Sequence, residues 1–150
     1  MDIHELIGMP GVLPEDPGSN SVLVVDDDMN QRMLMIRILR KQGYECSGAA
    51  STREAKQQLR ARAFGLLVTD LRMFEEDGIE LVRYVSDNYP DTSSVVVTGF
   101  VLPEGIDALI RAGASAVLAK PLDREEFLAV VTEAMERRRA NFELRRHRSA

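Results

Sequence analysis

The sequence predicts an α/β fold: a doubly wound, five-stranded parallel sheet covered on both faces by five helices, the last of them extended. Three observations carry this expectation. Five short strand-like runs alternate with helical stretches from Ser21 onward, the pattern of strands joined by helical crossovers. Four of the five runs are largely apolar, as strands buried on both faces must be. The chain of 150 residues is 45% hydrophobic and 29% charged, which suits one globular domain and excludes a disordered chain or a fibre.

The elements follow in order. Three Pro (10, 14, 17) and three Gly (8, 11, 18) break up residues 1–20, which read as a flexible lead with a short helix at Asp2–Ile7. Val22–Val25 is too short for a helix and rich in β-branched residues, so it is the first strand. Met29–Gln42 is a helix with Leu34, Ile38 and Leu39 on one face, and Gly43 stands where it ends. Tyr44–Gly48 is a weak second strand. Ser51 with Glu54 is a capping box that opens a helix to about Ala63. Gly65–Thr69 is strand three, and Ile79–Asn88 a helix closed by Pro90. Ser94–Val97 is strand four, and Glu104–Ala112 a helix ended by Gly113. Ala116–Ala119 is strand five, after which Asp123 and Glu126 cap the last helix. Right-handed crossovers leave few windings for such a chain, and the flavodoxin-like strand order 2-1-3-4-5 is the one adopted here.

Charge and cysteine content narrow the function. Nineteen basic against twenty-four acidic residues leave a net charge of −5, which argues against direct nucleic-acid binding. Six arginines against Glu143 make residues 137–150 net +5, so the first 136 residues carry −10. One cysteine, Cys46, excludes an internal disulfide and reads as a small core residue in a reducing compartment. No apolar run approaches the roughly 18 residues of a membrane span, and Met1–Glu5 lacks the start of a signal peptide. The expectation is a cytoplasmic protein divided into a lead (1–20), a domain (21–136) and a basic helical extension or linker (137–150).

In a doubly wound sheet, ligands bind beyond the carboxyl ends of the strands. The residues there are Asp26, Asp27 and Asp28 after strand one, Asp70 after strand three, Thr98 after strand four, and Lys120 before Pro121 after strand five. Neighbouring strands lie about 4.8 Å apart, so Asp26, Asp27 and Asp70 share one crevice. Two like charges at 4 Å repel by about 4 kcal/mol at an effective dielectric of 20. Such a crevice calls for a counter-charge, and a hard divalent cation such as Mg²⁺ suits an all-oxygen site. Lys120 and Thr98 supply a point charge and a hydroxyl donor for phosphoryl oxygens, and a carboxylate can serve as the nucleophile. Asp28 reads as the cap of the first helix, and Asp77-Gly78 as a turn. His4 and His147 have no partner pattern.

These residues, from about Ser21 to Met135, resemble the receiver domain of two-component response regulators. Leu-Val-Val-Asp26-Asp27 looks like its acidic pair, and Val-Thr-Asp70-Leu-Arg-Met73 its phosphoacceptor region. Val-Val-Val-Thr98-Gly99 and Ala119-Lys120-Pro121 match its Thr and Lys-Pro positions. The resemblance implies Asp70 as phosphoacceptor, with Thr98 and Lys120 assisting. It implies Mg²⁺ held by the Asp27 and Asp70 side chains and the Arg72 backbone carbonyl, with Asp26 acting directly or through water. It also implies a cis Lys120–Pro121 bond. The implied partners are a sensor histidine kinase or phosphotransfer protein as donor, a downstream output domain or protein, and a second copy in a homodimer.

Departures from the family pattern bear on switching. Phe74 stands where the family usually has Pro, and Val117 where it often has the aromatic of a hydroxyl–aromatic switch. Arg72 and Phe100, two residues beyond Asp70 and Thr98, flank the path of an attacking water and are expected to slow dephosphorylation. Two other readings stay open at this point. Asp26-x-Asp28 with Thr98 and Lys120 superficially fits an Mg²⁺-dependent phosphohydrolase of the haloacid-dehalogenase type, although only Asp123, Glu125 and Glu126 follow the lysine. A receiver-shaped module that takes no phosphate is the other. The last helix, from Arg124 to about Arg146, has Leu128, Val131, Met135 and Phe142 near heptad spacing, with Arg138 and Arg145 interrupting the seam. It reads either as a solvated extension or as a linker helix that pairs with another protomer or leads to an output domain.

Overall fold

The computed structural model describes residues 16–73, 76–99 and 103–149. The helix expected at Asp2–Ile7 lies outside them. The main sheet contains β1 (Ser21–Val25), β2 (Glu45–Ala49), β3 (Leu66–Thr69), β4 (Ser93–Thr98) and β5 (Ala116–Ala119). All pairings are parallel and the order is β2-β1-β3-β4-β5, as the alternation predicts. Helices α1 (Met29–Lys41), α2 (Thr52–Ala61), α3 (Gly78–Asn88), α4 (Pro103–Ala112) and α5 (Arg124–Ser149) connect and follow the strands. A two-residue antiparallel ladder, Arg72–Met73 with Glu76–Asp77, lies between β3 and α3 and had no signal in the sequence. The last helix runs three residues past Arg146, the end expected for it.

Side chains alternate across the pleat and divide the core in two. Val22 and Val24 of β1, Leu66 and Val68 of β3, and Val95 and Val97 of β4 face α1 and α5, where they meet Ile36, Leu39, Phe127 and Val131. Leu23, Val25 and Leu67 face the other way and meet Leu59 of α2 with Leu81 and Val85 of α3. Val96 packs there with Val82 of α3 and Leu109 of α4. Each such buried side chain contributes about 1.5–3 kcal/mol, so both layers hold the strands in register. A register slip of one residue would exchange the two faces.

Local signals end and begin the helices where expected. Asp28 caps α1 by accepting from the amides of Asn30 and Gln31 at 2.9 and 3.2 Å. Gly43 turns the chain out of α1 at φ +94°, a conformation L side chains rarely adopt. Ser51 accepts from the Glu54 amide at 3.1 Å, but the Glu54 carboxylate reaches the Ala50 amide rather than that of Ser51. Asp123 caps α5 through the Glu126 amide at 2.9 Å. Among the described residues, no helix is long and apolar enough to cross a membrane. Cys46 is half-buried against the α1 layer, and burial pushes its thiol up to about 11.

Candidate functional site

Backbone hydrogen bonds carry the sheet pattern one residue past three strands and fix the residues that matter. The Asp26 amide donates to the Ala49 carbonyl at 3.1 Å and the Asp70 amide to the Val25 carbonyl at 3.0 Å. The Lys120 amide donates to the carbonyl of Thr98, the last residue of β4, at 2.8 Å. The Lys120–Pro121 bond is cis, as the resemblance implies. A cluster built on strand ends is held more rigidly than one built on loops. Because β1 and β3 are adjacent, both acids stand at the point where the strand order reverses.

Lys120 joins the two acids. Its Nζ donates to Asp26 Oδ2 at 3.0 Å and to Asp70 Oδ2 at 2.9 Å. Asp26 is fully buried and Asp70 is 7% exposed, so these ion pairs are shielded from water. Burial works against the Lys120 charge, yet the hydrogen bonds and charges of both aspartates outweigh it and raise the lysine above its ordinary value. Asp26 is raised too, for the opposite balance. Its burial, reinforced by the negative charge of Asp70, outweighs the Asp28 amide and the Lys120 ammonium. The lysine is therefore firmly charged, while the positive charge near Asp26 does not make up for its burial.

Asp27 completes the cluster. One carboxylate oxygen from each of Asp26, Asp27 and Asp70 lies within 4.8 Å of the others, with Asp27 exposed at the mouth. Three carboxylates gather around the Lys120 ammonium, an acidic cluster of the kind that a divalent cation can neutralise. The donor atoms are all oxygen, which suits a hard divalent cation such as Mg²⁺. At the next strand end, Thr98 is 1% exposed and its hydroxyl has no hydrogen-bond partner among the described residues. An unmade bond on a buried hydroxyl costs about 1–3 kcal/mol, so the Thr98 hydroxyl fits a site that takes up a polar group at this strand end.

Several supporting groups were not foreseen. The Asp28 amide donates to Asp26 Oδ1 at 3.0 Å, so the residue that caps α1 also orients the buried acid. Arg32 Nη1 donates to the Asp26 carbonyl at 2.7 Å. Its signal was a charge on the core-facing stripe of α1, four and seven residues before Ile36 and Leu39. The Arg72 amide donates to Asp70 Oδ1 at 3.2 Å, which occupies the oxygen that Lys120 leaves. Gly78 begins α3 so close to the acid that a Cβ there would lie 2.4 Å from the Asp70 carbonyl oxygen. The loop after β3 is drawn in by the Gly78 amide, which donates to the Leu71 carbonyl at 2.9 Å.

The structure thus gathers Asp26, Asp27, Asp70 and Lys120 into one cluster and sets Thr98 on the strand beside Lys120. Phe74 and Phe100 lie outside the described residues. Val117 is half-buried against Val96 and Leu109, an aliphatic contact where an aromatic switch would need a ring. Asp28 is exposed and engaged as a cap, and Asp123 caps α5 in the same way. Glu125 and Glu126 are exposed on that helix. The acids that a haloacid-dehalogenase-type site would need are thus spent on helix ends or face solvent.

Comparison with known proteins gives a concordant result. Residues 22–132 match the response regulator receiver domain. The chain is 34% identical over 131 residues to the C4-dicarboxylate transport transcriptional regulatory protein DctD of Rhizobium meliloti (strain 1021), covering 87% of this chain and 28% of DctD. It is 33% identical over 114 residues to the transcriptional regulatory protein ZraR of Escherichia coli O157:H7, covering 76% of this chain and 26% of ZraR. The chain therefore spans about a quarter of the length of these relatives. Among solved structures, a CheY-like receiver domain protein from Methanospirillum hungatei JF-1 superposes with a TM-score of 0.78 at 26% identity, over 81% of this chain and 98% of that one. The beryllofluoride-activated NtrC4 receiver domain dimer gives 0.76 at 31% identity, over 79% and 98%. A match that spans most of the chain, on a fold shared with solved receivers, makes this protein a member of the response regulator receiver domain family.

Proposed function

We propose that this receiver accepts a phosphoryl group on Asp70 from a phosphohistidine donor, a sensor histidine kinase or phosphotransfer protein, in an Mg²⁺-dependent step. The observation that carries the reading is the double ion pair of Lys120 with Asp26 and Asp70, set beside the buried hydroxyl of Thr98, which has no hydrogen-bond partner among the described residues. In the transfer, an Asp70 carboxylate oxygen attacks phosphorus, the P–N bond to the donor imidazole breaks, and its electron pair returns to that nitrogen. Lys120 exchanges its contact with Asp70 for one with a phosphoryl oxygen, and Thr98 donates to another. Hydrolysis of the resulting acyl phosphate by water restores Asp70.

The Asp27 and Asp70 carboxylates and the Arg72 carbonyl would hold Mg²⁺, with Asp26 acting directly or through water. The ion, when bound, neutralises charge that builds on the phosphoryl oxygens. Arg32 and the Asp28 amide keep Asp26 oriented throughout. Arg72 shields the phosphoryl group from water and slows its loss. The donor docks over the first turns of α1, where Met29 and Met33 are 63% and 44% exposed beside Asp27. Phosphate adds roughly −1.5 to −2 charges at Asp70 and biases the β4-α4-β5 face, on which Ile106 and Ile110 are exposed, toward an output domain, a downstream protein or a second copy. The reading places the protein in the cytoplasm.

Intact-mass measurement after incubation with acetyl phosphate and Mg²⁺ tests this. The expected result is one added phosphoryl group, lost in Asp70→Asn and in EDTA. Repeated release of phosphate from a generic phosphomonoester, or no adduct at all, would overturn it in favour of a hydrolase or a phosphate-independent module respectively.

A further inference from the structure

Helix α5 is 26 residues long, more than the sheet needs to cover it. Its first half, Phe127, Val131, Ala134 and Met135, belongs to the core. Beyond Met135 the helix passes the starts of β3 and β4, the end of the sheet opposite Asp70, and there its inner face remains buried. Arg138 is 4% exposed and Phe142 7%. Arg138 donates from Nη1 and Nη2 to both oxygens of the Asp16 carboxylate, and from Nε to the Asp91 carbonyl at 2.6 Å. Arg145 pairs with the Asp91 carboxylate and donates to the Pro90 carbonyl at 3.0 Å. The Phe142 ring lies between the guanidinium groups of Arg138 and Arg146, at 5.6 and 5.5 Å.

The receiving surface is built as firmly as the helix that lands on it. Asp16 sits in a turn that packs onto the start of β3: a Cβ on Gly18 would lie 2.8 Å from the Gly65 nitrogen, and one on Gly65 2.2 Å from the Gly18 carbonyl oxygen. Asp91 is carried in the turn before β4, and Thr92 Oγ1 ties that turn to the Phe64 carbonyl at 2.6 Å. The clamp joins segments 122 and 54 residues apart in sequence, so it is a tertiary lock and not a local helix pair.

We propose that residues 137–149 are a strap, docked by Arg138 and Arg145 on the end of the receiver remote from Asp70, and that this docking withholds the inner stripe of α5 from pairing with a second copy of the chain. The stripe Phe127, Val131, Ala134, Arg138, Phe142 and Arg145 has near-heptad spacing, the pattern of a pairing seam. Its apolar members are occupied by the receiver's own core and turns. A seam between two copies would strand Arg138 against apolar neighbours, whereas the docked helix gives it a carboxylate and a carbonyl. Strap and seam are therefore mutually exclusive uses of one face. Anything bound to the outer face of the extension is held in a fixed orientation to the receiver.

Hydrogen–deuterium exchange with light scattering on the full chain tests the strap. The wild type is expected to be monomeric with residues 139–146 protected, and Asp16→Ala to speed exchange there by about tenfold or more while residues 127–135 stay slow. Arg145→Ala, a half-exposed position whose loss leaves the core intact, is expected to speed exchange over 143–148. Fast exchange over 139–146 in the wild type, or exchange unmoved by both substitutions, would overturn the docking. A wild-type dimer whose exchange over 139–146 slows with rising concentration would overturn it too, because the stripe would then pair between copies.

Discussion

Lys120 does its work through position as much as charge. One ammonium serves two buried acids, and the amide of the same residue is bonded to the carbonyl of Thr98, so hydroxyl and ammonium are set by adjacent backbone. Gly78 shows the same economy of space, since a Cβ there would collide with the Asp70 carbonyl oxygen. Gly78→Ala is expected to cost about 1–3 kcal/mol by urea unfolding and to slow phosphorylation of Asp70, because the backbone carrying the acid must shift. An unchanged midpoint and rate would refute the close approach. The residues that bear charge at strand ends were legible in the sequence, since acid, hydroxyl and lysine each followed an apolar run. Arg32 and Gly78 were not, because their roles lie in contacts with backbone that local pattern does not display.

At the scale of elements, caps and breaks were legible wherever their chemistry is local. Asp28, Ser51, Asp123 and Gly43 all act within four residues of themselves. The strap was not legible, since a charge at an inner helical position ordinarily signals exposure, and only the partner across the fold reverses that reading. Its acid dependence follows from Asp16. Burial opposes the Asp16 charge, but the hydrogen bonds and charge of Arg138, with the Gly18 amide and the charge of Arg139, prevail and hold the carboxyl below its ordinary 3.8. A depressed acid contributes stability that is complete above its unfolded value and is lost as pH falls through the lower folded one. The stability difference between wild type and Asp16→Asn is thus expected to be constant from pH 7 to about 5, and to shrink below the unfolded value of 3.8. A difference that grows in acid would contradict the ion pair.

At the scale of the whole molecule, the two ends of the sheet divide the labour. Strand order brings Asp26, Asp27 and Asp70 to the carboxyl end, while the turns before β1 and β4 carry Asp16 and Asp91, the groups that receive α5. The fold class and the site end were legible because alternation and strand-end chemistry are periodic features. The course of α5 past the sheet was not, because its partners Asp16 and Asp91 are distant in sequence, and the ladder after β3 is too short, at two residues a side, to show a pattern. The proposed chemistry makes Asp70 the phosphoryl acceptor, sharing a cation site with Asp27, while Thr98 and Lys120 meet the phosphoryl oxygens. A crystal structure grown with Mg²⁺ and beryllofluoride tests it most directly. The expected result is beryllium on the Asp70 carboxylate, fluorides met by Thr98 and Lys120, and Mg²⁺ on Asp27, Asp70 and the Arg72 carbonyl. Beryllofluoride on Asp26, or a cation bound away from the three aspartates, would contradict it.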